Sequence, residues 1–358
     1  VLYTLDNSLL LNAGTLRPAR AILPEGSVVN CSRPAAVGMR SLTCAMTQIV
    51  TVGAFVQALP NLMPAASPGG NAIMNIKTTS RAGRSIMASI GPVGGGGGGT
   101  PVGDGSDGAG GATGFLRNTP IEISEAEVPI RFLRYGLERD TGAPGRHRGG
   151  LSAVMEFEIS APETIVTARN RNRSIMPAWG VNGAHSGSIS RFLRNPGRSD
   201  EVSLGNTDVV HCGPGDVIRV VGPGAGGYGD PLSRPTDAVL KDVRRGAVSV
   251  ASAERDYGIV IRAGSIDVEA TAAIRSGHEP AVQEVITHGV ERRTFEAIWN
   301  RERYELLSAF LASQPVGWRY FLKHQIFEAV EKVTGDRPPV ADEMRMLCET
   351  MRIRYALT

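Results

Sequence analysis

The chain has 358 residues, with 38 Lys and Arg against 35 Asp and Glu, so its formal net charge is +3. Because positive and negative charges nearly balance and no run of Lys and Arg occurs, electrostatics give no support for binding to nucleic acid or to a membrane surface. The length allows about two domains and a sizeable core. Four cysteines lie far apart, which predicts reduced thiols in a cytoplasmic protein rather than a zinc site or disulfide framework.

The amino-terminal part is poor in charge. No charged residue occurs from 41 to 76, and charged side chains normally dominate a solvent-facing surface. We expect this stretch to be covered by the rest of the fold or by another chain. Apolar residues at near-helical spacing predict one largely buried helix over 41–59, ended by Pro60, and a short strand over 71–79. Several Thr and Gln side chains in 41–63 disfavour a membrane span, so we expect a soluble protein.

A glycine-rich segment follows, with thirteen glycines among residues 91–114. Such backbone cannot hold one shape without help from its surroundings. Three interpretations stay open: a flexible loop, a mobile active-site rim to which Asp104 and Asp107 supply carboxylates, and a phosphate-binding loop. The last lacks the Lys and Ser/Thr of a P-loop, because no Lys lies between Lys77 and Lys241. The two aspartates could also bind a divalent metal, although solvated turn formers fit their spacing better.

The middle and the end of the chain differ in pattern. Short alternating segments separated by turns predict antiparallel strands over 121–128, 130–137, 151–159, 163–168 and 209–221. Amphipathic spacing predicts helices over 294–312, 318–333 and 340–355. The fold class is therefore α+β, a mostly antiparallel β section with a buried N-terminal helix and an α-helical C-terminal region. We expect three parts, 1–116, 117–262 and 263–358.

Other charged groups could contribute chemistry. On the predicted strand 121–128, Glu125 and Glu127 would lie on one face and Glu122 on the other. These carboxylates could act as an acid/base pair, or they could simply belong to an exposed strand face. His147 lies in a basic turn that could meet an acidic neighbour or a substrate carboxylate, although a surface turn is the favoured interpretation. Alternation would place Arg169, Arg171 and Arg173 on one side, facing a partner's carboxylates. None of the six histidines has metal-ligand spacing, and no nucleophile motif occurs, so we predict no metal site in this chain.

The most distinctive segment of the sequence runs from Gly213 to Ile261, GPGDVIRVVGPGAGGYGDPLSRPTDAVLKDVRRGAVSVASAERDYGIVI. This segment resembles the carboxyl-terminal signature of the hydantoinase B/oxoprolinase family. Further segments resemble the family in the same order: LPEGSVVNCSRPAAVG at 23–38, the Asp-Gly segment at 104–108, RNTPIEISEAEVPIRFLRYGLERDTGAPGRHRGG at 117–150, and the 171–183 loop. The family's front half, with its His and Asp motifs, is not in this sequence.

The resemblance implies a function for an assembly rather than for this chain alone. It implies part of the B subunit of an ATP-dependent cyclic-amide hydrolase, acting with a hydantoinase A-type subunit that binds ATP with Mg²⁺, and with the remaining front half of the B subunit, where a divalent metal could be held. It also implies that the Asp-Gly segment and the following turn at Asn118 and Thr119 form the rim of the active site. Two alternatives stay open, a subunit of an ATP-dependent ketone carboxylase and a noncatalytic assembly module.

Overall fold

A computed structural model describes residues 2–6, 8–10, 12–17, 19–35, 37–38, 40–80, 82–109, 118–169, 171–278, 284–333 and 337–357. They form two compact units, one of Val1–Asn30 with Val37–Gly289 and one of Cys31–Ala36 with Val290–Thr358. The division into three parts at 116 and 262 stays a prediction. The end of the glycine-rich segment, 110–117, and the side chain of Arg169 lie outside the described residues.

The larger unit contains two antiparallel sheets. The first has the order β2-β1-β5-β9, formed by β1 (Ala72–Thr79), β2 (Ser85–Val93), β5 (Thr164–Arg169) and β9 (Val209–Cys212). The second has the order β3-β4-β10-β7-β8, formed by β3 (Ile130–Leu137), β4 (Ala153–Ile159), β7 (Arg191–Arg194), β8 (Val202–Ser203) and β10 (Val217–Val221). Two shorter pairs join β6 (Gly180–Val181) to β13 (Ile286–Thr287) and β11 (Ile261–Arg262) to β12 (Ser265–Ile266).

The two large sheets share one hydrophobic core. Met74 and Ile76 of β1 pack in the same buried cluster as Phe157 of β4 and Ile218 of β10, and all four side chains are fully buried. Alternating apolar residues on each strand supply these inward faces, as the period of two requires. The predicted strand 209–221 is broken into β9 and β10, in different sheets, by a turn in which Asp216 accepts a hydrogen bond from the Gly213 amide.

The predicted helix at the amino-terminal end is present as α2 (Arg40–Ala58), after a short α1 (Leu2–Leu5). Its burial is less than expected, because only Ala45, Ile49 and Val56 are buried within this chain. Ile49 and Val56 belong to one buried cluster with Met63, Trp179 and Tyr228. The helix is long and apolar enough to cross a membrane by length and composition alone, a test that buried core helices also pass.

The strand predicted over 121–128 is wrong, because these residues form helix α3 (Ile121–Glu127). Pro120 precedes the helix and Glu122 lies in its first turn, where a carboxylate is favoured by the helix dipole. Glu122 and Glu125 are therefore three residues apart on one helical surface rather than on opposite strand faces.

Helices follow the β section. The larger unit ends with α4 (Thr236–Arg244), α5 (Val250–Tyr257) and α6 (Val268–Ser276), and the smaller unit contains α7 (Val290–Ile298), α8 (Arg301–Ser313), α9 (Val316–Val333) and α10 (Ala341–Arg354). The helix predicted over 294–312 is divided in two, because the Asn300 side chain caps α8 by accepting from the Arg303 amide. Trp299 stacks on Phe327 at 4.2 Å in the core of this unit. The predicted α+β class, with antiparallel sheets and C-terminal helices, is confirmed.

Candidate functional site

The glycine-rich segment is part of an ordered bundle of extended backbone, the glycine bundle, formed by 94–99, 103–108, 141–150, 184–188 and 222–229. Its segments hydrogen-bond to one another outside the regular sheets. The Gly97 amide donates to Ser106 O at 2.7 Å, and the Gly99 amide donates to Gly226 O at 2.9 Å. Gly150 N in turn donates to Gly97 O at 2.8 Å. The flexible-loop interpretation is therefore wrong for the described part of the segment.

Close backbone packing explains why glycine recurs here. A Cβ atom added to Gly98 would lie 1.9 Å from Ala65 O, and one added to Gly226 would lie 1.9 Å from Trp179 O. Both contacts are with backbone, which cannot move aside as a flexible side chain can. Glycine is needed at these two positions for the segments to approach each other.

Two features of the glycine bundle disfavour a nucleotide phosphate. A phosphate loop offers free amide N–H groups and a lysine to the anion, whereas the amides of Gly97 and Gly99 are committed to backbone carbonyls. The run Gly94–Gly99 is itself largely buried. This geometry does not support the phosphate-loop interpretation.

A buried ion-pair cluster lies against the bundle and includes both predicted aspartates. Arg234 donates to Asp104 through Nη1–Oδ1 and Nη2–Oδ2 bonds of 2.6 and 2.7 Å. Its Nη2 also donates to Asp242 Oδ2 at 2.7 Å. Because the Arg234 side chain is only 4% exposed and that of Asp242 9% exposed, water screens this interaction little.

Arg148 forms a similar two-bond ion pair with the second aspartate, Asp107. Its Nη1 and Nη2 atoms donate to the two oxygens of Asp107 at 2.7 and 2.9 Å. The amides of Arg148 and Leu151 donate to Asp104 Oδ1 and Asp107 Oδ1, each at 2.8 Å. The two carboxylates thus fix the glycine-rich segment to 146–151, and their oxygens are committed to protein donors.

The cluster favours the ionised forms of Asp104 and Asp107. Burial alone raises the pKa of Asp104, but the hydrogen bonds and charge of Arg234 and the Arg148 amide outweigh burial and leave that pKa lowered. Burial also raises the pKa of Asp107, but the hydrogen bonds from Arg148 and from the Leu151 amide outweigh it and leave that pKa lowered. Tyr257 borders the cluster, and burial raises its pKa well above the ordinary value. Its buried hydroxyl has no hydrogen-bond partner among the described residues.

The other residues predicted around the rim are more exposed. Asn118 donates to Pro92 O at 3.2 Å, and Thr119 is exposed. Glu125 accepts from the Phe132 amide at 2.6 Å, which occupies one of its carboxylate oxygens. Glu122 is exposed on α3. The structure therefore brings Asp104 and Asp107 together, and places Glu122 and Glu125 on a separate helix.

The predicted basic groups do not form one row. Arg171 donates to Gly205 O at 2.6 Å, and its guanidinium lies 4.6 Å from the Phe192 ring centroid. Arg173 turns the other way, to Pro68 O at 3.1 Å, because its φ of 57° ends the alternation. Arg169 ends β5. The backbone of His147 pairs with Tyr228, and burial, ahead of the opposing Asp104 charge, lowers the pKa of its side chain.

Three residues that complete the cluster were missed from sequence: Arg148, Arg234 and Asp242. Each lies in a segment that resembles the family, Arg148 within 117–150 and the other two within 213–261. For Arg148 and Arg234 the available signal was a charged side chain beside a glycine or proline in such a segment, whereas Asp242 lies within a helix and offered no such signal. No group of three or more His, Cys, Asp or Glu residues able to hold a metal occurs in the described part of the chain.

A second feature of this unit is a cavity of about 260 Å³. It is lined by α2, the segment 64–69 and Trp179. The Ala65 amide donates to Gly99 O and the Ala66 amide donates to Trp179 O, at 2.8 and 3.1 Å. The bundle therefore supports the wall of the cavity.

Comparison with known proteins identifies related sequences. An uncharacterized protein of Methanocaldococcus jannaschii is 32% identical over 277 residues, 76% of this chain and 47% of that protein. The caprolactamase subunit beta of Pseudomonas jessenii is 35% identical over 170 residues, 46% of this chain and 29% of that subunit. The chain thus spans less than half the length of these relatives.

Two solved structures share the fold. The crystal structure of the ATP-dependent caprolactamase from Pseudomonas jessenii superposes with a TM-score of 0.62 and 26% identity, covering 72% of this chain and 46% of that one. A nucleotide-free structure of acetone carboxylase gives a TM-score of 0.54 at 18% identity, covering 85% of this chain and 42% of that one, a likeness of fold alone.

The family model described as Hydantoinase B/oxoprolinase matches residues 1–231, which include every segment of the glycine bundle. The resemblance seen in the signature segments is thereby confirmed over most of the larger unit. The chain belongs to the hydantoinase B/oxoprolinase family.

Proposed function

We propose that this chain is part of the B subunit of an ATP-dependent cyclic-amide hydrolase, and that it acts in the cytoplasm with an ATP-binding A-type subunit. The observation that carries this proposal is the likeness to the ATP-dependent caprolactamase, at a TM-score of 0.62 and 26% identity. The match of residues 1–231 to the Hydantoinase B/oxoprolinase model supports the same reaction class.

The chain's own residues have a scaffolding role in this proposal. We assign ATP and Mg²⁺ to the partner subunit, and the commitment of the Gly97 and Gly99 amides within the bundle supports this assignment. When bound there, ATP supplies the phosphoryl group that converts an unreactive amide into a better electrophile. A divalent metal, if the reaction uses one, takes its ligands from the rest of the B subunit.

The predicted site residues divide into two groups. Asp104 and Asp107 act as positioning residues, because their oxygens are bound by Arg234, Arg148 and backbone amides. Thr119 and Glu122 are exposed and remain candidates for contact with substrate or with another polypeptide. Arg171 and His147 are proposed to serve packing and interface roles.

The test is an assay of the assembled complex. It is purified with the polypeptides that accompany this chain and incubated with ATP, Mg²⁺ and ε-caprolactam, hydantoin or 5-oxoproline. We expect phosphate release that depends on one of these cyclic amides, together with the ring-opened acid. A complex reconstituted without this chain is the control and should release background phosphate only.

A ketone substrate provides the decisive contrast. Acetone or acetophenone with bicarbonate replaces the cyclic amide in a parallel reaction. Phosphate release only with the ketone and bicarbonate would reject the hydrolase and establish a carboxylase. A complex without ATP-dependent turnover of either class would leave the chain as an assembly module and reject the proposal.

A further inference from the structure

Strand β3 is an edge of the second sheet, because β4 is the one strand that pairs with it in the described part of the chain. The first half of this edge is covered, since the Phe132 amide donates to Glu125 Oε1 of helix α3 at 2.6 Å. The second half is open. Tyr135, Gly136 and Leu137 are all exposed, and a Cβ atom added to Gly136 would meet nothing within 4 Å.

The hydrogen bonds of β4 show which main-chain groups of this open edge are free. The N–H and the C=O of Ala153 both bond on the side away from β3, to Gly94 and Gly222. Leu137 lies opposite Ala153, so its own N–H and C=O point away from β4. Tyr135, two residues earlier in the strand, points the same way. Neither amide N–H has a hydrogen-bond partner among the described residues.

The side chains of the open edge are apolar on the face that continues the hydrophobic core. Tyr135 and Leu137 lie opposite Met155 and Ala153, which are buried in the core that the two large sheets share. Tyr135 and Leu137 themselves are 42% and 45% exposed. An exposed strand edge with apolar side chains is a template for pairing, and natural proteins usually cover it. The free main-chain groups therefore select an extended segment, with apolar side chains on the core-facing side.

The opposite face of the open edge is short of negative charge. Arg134 and Arg191 both pair with Glu138, at 2.7 and 2.9 Å, and the two arginine side chains are 42% and 47% exposed. Two cations that share one carboxylate favour a strand that brings further carboxylates to this face. A second copy of β3 would instead bring a second Arg134, and like charges on adjacent strands oppose that pairing.

We propose that the end of β3 binds an extended segment of a partner polypeptide as an added strand. Apolar side chains of the segment lie beside Tyr135 and Leu137, and its carboxylates lie beside Arg134. The Tyr135 N–H and C=O and the Leu137 N–H form the main-chain hydrogen bonds. This interaction joins the chain to another polypeptide and is independent of the reaction proposed above, so either can fail without the other.

Binding of a labelled peptide to the full chain tests the proposal. The probe is fluorescein-Thr-Val-Glu-Val-Glu-Val-Thr-amide, followed by fluorescence anisotropy. One comparison peptide carries Lys in place of Glu, and another carries N-methyl groups on the Val amides, which would bond to β3. We expect saturable binding of the acidic peptide, binding at least about tenfold weaker for the Lys peptide, and none for the N-methylated peptide. Equal binding of the acidic peptide and either comparison peptide, or no binding of the acidic peptide, would overturn the proposal.

Hydrogen exchange and matched variants locate the added strand. The acidic peptide should slow amide exchange at Tyr135 and Leu137, and protection confined to other segments would contradict the assignment. Leu137→Pro removes an outward N–H without touching the ladder to β4, and it should weaken binding at least about tenfold. The control is Ser203→Pro on β8, the opposite edge of the same sheet, which should leave the dissociation constant unchanged. Equal melting temperatures establish that both variants fold, and undiminished binding in Leu137→Pro would refute the proposal.

Sedimentation velocity of the chain alone distinguishes a partner strand from a second copy. We expect the natural chain and Leu137→Pro to show the same oligomeric state at every concentration. A dimer that forms in the natural chain and is abolished by Leu137→Pro would show that β3 pairs with itself, and would overturn the assignment of an acidic partner segment.

Discussion

Arg234 and Asp104, 130 residues apart in sequence, form a two-bond ion pair that joins the start of α4 to the glycine bundle. The same guanidinium donates to Asp242, so one buried cation holds two carboxylates. Removing one member of a buried charged network is costly, because the remaining charges lose a partner where water compensates them poorly.

Arg234→Met should lower the free energy of unfolding by about 3–5 kcal/mol, since it removes the cation that Asp104 and Asp242 share and leaves Asp242 only the more distant Arg148, at 3.5 Å. The control is Arg262→Met, whose side chain is 74% exposed and pairs with Asp267 at 3.0 Å. That loss should be under about 1 kcal/mol. Urea denaturation followed by circular dichroism measures both, and equal losses would show that the cluster is not a stabilising unit.

Stability should fall in acid through the same cluster. The folded pKa values of Asp104 and Asp107 are lowered, so their contribution is complete above the ordinary carboxyl pKa of about 3.9 and is lost as the pH falls through the lowered values. Urea midpoints from pH 6 to pH 3 should therefore decline more for the natural chain than for Asp104→Asn. Parallel declines would contradict this linkage.

Gly98→Ala should prevent the glycine bundle from closing, because the added Cβ would lie 1.9 Å from the Ala65 carbonyl oxygen. We expect a loss of at least about 3 kcal/mol, the upper end for an overpacked core. Gly213→Ala is the matched control, since nothing lies within 4 Å of its added Cβ. Thermal unfolding compares the two, and a Gly98→Ala chain as stable as the control would refute the packing described here.

Two of the four thiols should resist alkylation. Burial raises the pKa of both Cys212 and Cys348 to about 11, whereas Cys31 and Cys44 are exposed. At pH 8 the buried pair is almost wholly protonated, and only the thiolate reacts. Mass spectrometry after brief iodoacetamide treatment should find label on Cys31 and Cys44. Early label on Cys212 would show that the sheet core opens.

Local patterns were a good guide to the regular elements. Alternation predicted β3, β4 and β5, and apolar spacing predicted α2 and α9 close to their observed bounds. The pattern failed at α3, where Ile121, Ile123 and Glu125 alternate as a strand would, but Pro120 and the first-turn Glu122 favour a helix. Alternation in a short segment does not settle which backbone forms, because the packing context decides it.

The ion-pair cluster could be predicted only in part. Asp104 and Asp107 were singled out for their place in a glycine-rich segment, but their partners lie 130 and 41 residues away in sequence. Spacing rules report on neighbours along one element and cannot join such distant positions. The glycine run likewise looked flexible because its rigidity comes from backbone partners such as Gly226 O and Gly150 N, which the run itself does not contain.

The most direct test of the proposed hydrolase is the ratio of phosphate released to cyclic amide opened by the assembled complex. Phosphate is measured by a coupled assay and the ring-opened acid by mass spectrometry in the same sample. The proposal predicts one phosphate for each ring opened, and loss of both products when this chain is omitted. Ring opening that proceeds at the same rate without ATP, or without this chain, would contradict it.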